Sequence, residues 1–335
     1  MEDPQVLNSI AMRCIPHVSS FLCRVVPPDQ LLPYLSSLQT HLRAVLSKGL
    51  GIDLTDSAWR QARFPIKLGG LGYGNPTISA HAAYLASVMA CEDRVGSICG
   101  NFSVGVVCKQ AIDAIKRLTN DKVDPLSLAL GGQGKITTAI WECEWESWRQ
   151  LELDPIVGAT IDSFKSTYSG RWLEVTPNAA LGLAMSPDEF VTCVKSRLGL
   201  VVSVPDVCRA CGNQADAYGR HAEICTTGQL GPKARHDKVR DIIAAEACAA
   251  GFRVAVEPRH ILAGRTKEKP ADILIGTQCV DVTIPSPLTI QTLTQRKGDP
   301  ETAIKIAATE KHKKWDEKCK KAGVSCCAFV VDSFG

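Results

Sequence analysis

Four metal-binding side chains within eighteen residues constrain this chain more than any other feature of its sequence. Cys208-x2-Cys211-x9-His221-x3-Cys225 supplies three thiols and one imidazole. A two-residue gap lets one knuckle turn present both sulfurs, and an x3 gap sets His221 and Cys225 about one helical turn apart, a ligand set suited to tetrahedral Zn²⁺. Four ligands leave no open coordination position, so the expected role is structural. The competing reading is chance spacing in a cysteine-rich chain. The 15 cysteines are odd in number and run from Cys14 to Cys327 of 335 residues, which argues against a disulfide framework. The remaining twelve are expected to be reduced, buried, small apolar residues.

On the N-terminal side of this loop the pattern is helical. Leu31 to Leu50 carries Leu35, Leu38, Leu42, Val45 and Leu46 at helical steps and meets stop signals at Gly49 and Gly51. Phe64 to Gly72 is rich in breakers, and His81 to Cys91 is a second helix, dense in Ala and Leu. Trp141, Trp145 and Trp148 recur at helical spacing and are expected to pack in a core rather than to stack on bases. Ser186-Pro187-Asp188-Glu189 is a capping box with proline at the first helical position.

Beyond Pro205 the pattern changes. After a linker through Gly228 and Gly231-Pro232 the reading is helix 233–250, strand 252–257, strand 271–275, a turn at Gly276, strand 279–284, helix 301–322 and strand 326–331. The expected fold class is therefore α+β, with a mainly helical N-terminal part, the knuckle and a C-terminal αβββαβ domain. Asp281 interrupts the apolar run Cys279 to Ile284, where an unpaired carboxylate costs several kcal/mol. The Gly276 turn makes a hairpin that brings Asp272 to the same end, and paired carboxylates suit a hard cation such as Mg²⁺ or Mn²⁺. At about 100° per residue, Lys311 falls on the helix face shared by Ile304, Ala308, Trp315, Cys319 and Ala322. A lysine on an inward stripe needs a charged partner; Lys314, at the stripe's edge, is the second choice. Glu257 is expected to add a metal contact. Surface acids and a snorkelling lysine are the competing readings.

These features match a metal-dependent phosphodiesterase. Pro270-Ala271-Asp272, Asp281-Val282-Thr283 and helical Lys311 resemble the PD-(D/E)XK restriction-like nuclease pattern. Together with the knuckle, Arg235-His236-Asp237, Glu257-Pro258 and Glu310-Lys311-x2-Lys314-Trp315, they resemble the C-terminal region of non-LTR retrotransposon reverse transcriptase proteins. Phe64-Pro65-x3-Gly69-Gly70-Leu71-Gly72 and Ala82-Ala83-Tyr84-Leu85-Ala86-Ser87 are similar to the thumb and helical linker of those polymerases. The resemblance implies a thumb-like region over 1–95, a helical linker over 96–204, a CCHC knuckle over 205–230 and a restriction-like endonuclease domain over 231–335. It further implies nicking of target DNA to prime reverse transcription. Asp272 and Asp281 would be metal-binding acids, and Lys311 the lysine migrated from position 283, which is Thr here. No Tyr/Phe-x-Asp-Asp motif occurs, so no polymerase activity is expected of this chain.

The net charge of +3 decides little, but lysine and arginine crowd 233–269 and 296–321, a field suited to a polyanion. Arg235, His236 and Lys238 are the expected nucleic-acid contacts, Arg235 and His236 alternatively bracing the knuckle; DNA, and element RNA, are the expected partners. The rival reading is a nucleic-acid-binding remnant without catalysis; a third is a purely structural zinc domain. No stretch nears the ~20 apolar residues of a membrane span. The acidic start lacks a secretory n-region, and the analogy implies a nuclear location.

Overall fold

The computed structural model describes residues 3–151, 155–227, 231–259, 261–262, 269–295 and 298–334. Gly228 and Arg296 lie outside the described residues. The chain is α+β and divides into two compact units, Met1–Ile161 with Thr167–Leu200, and Asp162–Ser166 with Val201–Gly335.

The first unit is helical. Its long helix Pro28–Leu50 buries Leu31, Leu35, Leu42, Leu46 and Leu50, the stripe that a 3.6-residue period demands. Two expectations fail there. Gly49 does not stop the helix; it lies inside, where a Cβ would stand 2.2 Å from Leu7 Cδ2. Gly51 is the left-handed cap, at φ 62°. Val45 is exposed, and the stripe includes buried Gln39 instead. The helix expected over His81–Cys91 spans Pro76–Ile98, and it joins helices Lys109–Leu118 and Gln133–Arg149 through one apolar cluster. The regions 1–95 and 96–204 therefore share apolar clusters and, up to Leu200 apart from 162–166, one compact unit. Trp141 and Trp148 sit edge-on to Phe64 at centroid separations of 5.7 and 5.4 Å, and with Trp145 they are core residues. The Ser186–Glu189 capping box forms as expected. Fully buried Arg197 ties the glycine loop down, donating to the carbonyls of Gly70 and Ile66 at 3.0 and 2.8 Å. Burial lowers its pKa to about 10. Gly70 is obligatory because a Cβ would lie 2.0 Å from the Phe64 carbonyl oxygen.

The second unit holds the knuckle and a three-layer core. Helix α1 (Pro232–Ala249) starts with Gly231 as N-cap and Pro232 as its first residue, so these residues begin an element rather than a linker. Strands β1 (Val254–Val256), β2 (Ile273–Ile275) and β3 (Gln278–Thr283) form an antiparallel meander. Helix α2 (Thr302–Lys321) leads to β4 (Ser325–Val330), which pairs parallel to β3. The sheet order is β1-β2-β3-β4. Period-two alternation along β3 explains the layering. Val280 and Val282 join a cluster with Val239, Ile243 and Ala244 of α1, while Cys279 joins one with Trp315 and Cys319 of α2. The expected elements are all present, with β1 and β2 trimmed to three residues each.

All fifteen cysteines are free. Burial raises the Cys279 and Cys326 thiols to about 12, the behaviour of packing residues. Cys14, Cys91, Cys99 and Cys248 are exposed, which corrects the expectation that every cysteine outside the loop is core. Cys14, Cys91 and Cys248 sit on helix faces that the apolar stripes leave to solvent, and Cys99 follows the last turn of Pro76–Ile98 as its C-cap. Among the described residues, no helix is long and apolar enough to cross a membrane.

Candidate metal centre and carboxylate site

A hairpin of Asp206–Val207 against Gln214–Ala215 opens the knuckle. Gly212, at φ 74°, lets the chain fold back so that its amide donates to Cys208 O at 2.8 Å. Backbone amides of Cys211 and Ala210 draw the Cys208 thiol pKa down to about 6, towards the thiolate a metal needs. Helix Arg220–Ile224 carries His221 and delivers Cys225 one turn later, its amide donating to His221 O at 2.9 Å. Asp216 starts this helix, its carboxylate accepting the amides of Tyr218, Arg220 and His221 at 2.8, 3.3 and 2.9 Å. Sequence reading missed Asp216, which holds the first amides of this helix from three residues before its N-cap, Gly219.

The four ligand atoms lie within 4.8 Å of one another. Cys211 Sγ to His221 Nε2 is 3.3 Å and Cys208 Sγ to Cys225 Sγ is 3.9 Å. A Zn–S bond of about 2.3 Å gives a tetrahedral edge of about 3.8 Å, so these spacings fit a metal ion such as zinc.

The carboxylates are assembled across the sheet. The register Ile273 opposite Val280 puts Asp272 and Asp281 at the same end of the β2–β3 hairpin. Asp281 is only 6% exposed. Lys311 Nζ lies 3.0 Å from Asp281 Oδ1 and 2.9 Å from Oδ2, so one ammonium spans both oxygens. Burial raises the pKa of Asp281; Lys311 opposes that shift and neighbouring Asp272 adds to it.

Asp272 Oδ2 faces the Val282 amide at 2.8 Å and His236 Nε2 at 3.1 Å. His236 Nδ1 stands 3.3 Å from Asp237 Oδ1. Burial pulls the His236 pKa down, but Asp272 and Asp237 outweigh it and the net shift is upward.

The other expected residues lie elsewhere. Lys314 is exposed, and its ammonium sits 4.5 Å from the Trp315 ring centroid, held by the indole face rather than by the acids. The Glu257 carboxylate takes Arg240 Nη1 at 3.1 Å and also Lys269; two cations occupy the oxygens expected to face a metal. Glu257 adopts φ 50°, and its amide donates to Asp272 O at 2.8 Å. Arg235 donates to the Glu223 carbonyl oxygen, so the brace is the alternative observed. Lys238 is exposed on α1. Thr283 Oγ1 is buried with no hydrogen-bond partner among the described residues. Sequence reading also missed Arg240, which joins Asp237, Asp241 and Glu257. In the helical unit, a cavity of about 640 Å³ is lined by Arg13, His17, Lys67, Arg171 and Glu174 among others.

No protein-family model matches this chain, and no curated protein matches it in sequence.

Proposed function

We propose that the chain is the metal-dependent DNA endonuclease part of a non-LTR retrotransposon-type reverse transcriptase protein. The αβββαβ unit is read as a PD-(D/E)XK nuclease domain, the helical unit as thumb-like region and linker, and the Cys₃His loop as a structural zinc knuckle. The observation that carries this reading is the meeting of three residues from three elements: Asp272 before β2, Asp281 on β3 and Lys311 on α2, with Lys311 within 3.0 Å of Asp281. A buried acid in a strand centre costs stability unless partnered, and a lone ion pair seldom repays its desolvation, so a functional use accounts for its presence.

Asp272 and Asp281 would hold the divalent cation, which when bound supplies a Lewis acid for the scissile phosphate and lowers the proton affinity of water. Lys311 neutralises Asp281 and offers its remaining N–H donors to the phosphodiester, where negative charge builds up as the P–O bond breaks. The lysines of α2 and the exposed Lys238 supply sequence-independent attraction to the DNA backbone, and the family analogy implies action on nuclear DNA, with element RNA as a second ligand.

Two observations favour a second reading, a nucleic-acid binder without catalysis: Lys311 covers both Asp281 oxygens, and position 283 is Thr. Supercoiled plasmid with Mg²⁺ or Mn²⁺ separates the two. The nuclease reading expects nicking that Asp272→Asn and Asp281→Asn abolish. Binding without nicking by the unmodified chain establishes the second reading.

A further inference from the structure

His236 stands in the first turns of α1, where its ring reaches Asp272 Oδ2 at 3.1 Å. The Val282 amide grips the same oxygen at 2.8 Å. With two donors on Oδ2, the carboxylate cannot turn without breaking both bonds, and the direction of Oδ1 is fixed. Asp237 holds the far side of the ring, and Arg240 Nη1 holds Asp237 at 3.0 Å. The imidazole is thus clamped between two carboxylates rather than free to meet a phosphate.

One residue earlier the chain grips the knuckle. Arg235 donates to the carbonyl of Glu223, which lies on the helix that carries His221. The Glu223 carboxylate accepts from Ser333 Oγ at 3.3 Å, and the Ser333 amide donates to Pro285 O at 3.1 Å, two residues beyond β3. The ligand helix therefore touches the start of α1 and the segment leaving β4, which in turn is bonded to the segment leaving β3.

We infer that His236 is a positioning residue that aims the Asp272 carboxylate, and that the Cys₃His loop sets its place through Arg235. This rests on the reading of Asp272 and Asp281 as cation ligands. Residues that orient a metal ligand are worth roughly 10–100-fold in metal affinity.

The test titrates the full zinc-loaded chain with Mn²⁺ alone, following free Mn²⁺ by electron paramagnetic resonance, with zinc content and melting temperature as checks of folding. His236→Ala is expected to weaken Mn²⁺ binding roughly tenfold. His236→Gln keeps an N–H donor of similar reach and is expected to stay within about threefold of the unmodified chain. If the alanine variant does not fold, His236→Asn, whose amide falls short of Asp272, takes its place. Arg235→Met is expected to weaken binding about threefold at unchanged zinc content. Absence of Mn²⁺ binding by the unmodified chain overturns the carboxylate reading itself. Mn²⁺ binding that His236→Ala leaves intact, or that His236→Gln does not rescue, overturns only the positioning role. An unchanged Arg235→Met overturns the link to the knuckle.

Discussion

The Cys₃His loop and the carboxylate site share one unit but are built in opposite ways. The loop collects four ligand atoms from eighteen consecutive residues, with a hairpin, a left-handed glycine and a five-residue helix as its whole scaffold. The carboxylate site draws on the residue before β2, the middle of β3, a helix some thirty residues later in the chain and the first turns of another helix. A soft, closed ligand set is satisfied by local geometry. The carboxylate site has two acids, and it relies on a lysine and a histidine from other elements to hold them.

The largest expected effect comes from breaking the loop. Cys208→Ser or Cys225→Ser should reduce bound zinc from one ion per chain to none by atomic absorption, because a structural site with three ligands loses most of its affinity. A variant that keeps its zinc would show that the four ligands do not act as a set. Next in size, Asp281→Asn should lower plasmid nicking by roughly 10²-fold or more while leaving zinc content and DNA binding unchanged. A parallel loss of zinc would mean that the two sites are not separable as the comparison requires.

A smaller effect is expected in stability. Lys311→Met strands the buried Asp281 carboxylate and should cost about 1–3 kcal/mol in urea unfolding at neutral pH. The sign with pH follows from burial, which raises the folded pKa of Asp281. A raised carboxylate favours the folded state when protonated and loses that contribution as pH rises through its folded value. The deficit of Lys311→Met should therefore shrink as pH falls and the acid takes up its proton; a deficit that grows in acid contradicts the pairing. The smallest effect is reserved for Lys314→Gln, about 0.5 kcal/mol or less, with nicking close to that of the unmodified chain. Loss of nicking by Lys314→Gln comparable to that of Asp281→Asn would assign to Lys314 the role given to Lys311.

Much of this was legible before any coordinates. The loop ligands were readable because their spacing is itself the geometry. Lys311 was readable because the other apolar positions of its helix define the inward face, and Asp281 because a charge stands out in an apolar strand. Glu257 and Lys314 show the limit. Each has the residue type the site needs and a suitable place in the chain, yet the cations Arg240 and Lys269 claim one and an indole ring the other. Gln39 and Val45 make the same point in the helical unit: packing against neighbouring helices, not hydropathy, chose which of them to bury.

The sequence by itself determined the metal loop, the order of the αβββαβ elements and the face on which Lys311 lies, because each follows from spacings of a few residues along one element. Only the tertiary structure decided that His236 turns to Asp272, that Arg235 turns to the knuckle helix and that Glu257 is drawn away from the acids. Those outcomes depend on which charges from distant segments arrive within hydrogen-bonding distance, a competition among many partners that no local spacing encodes.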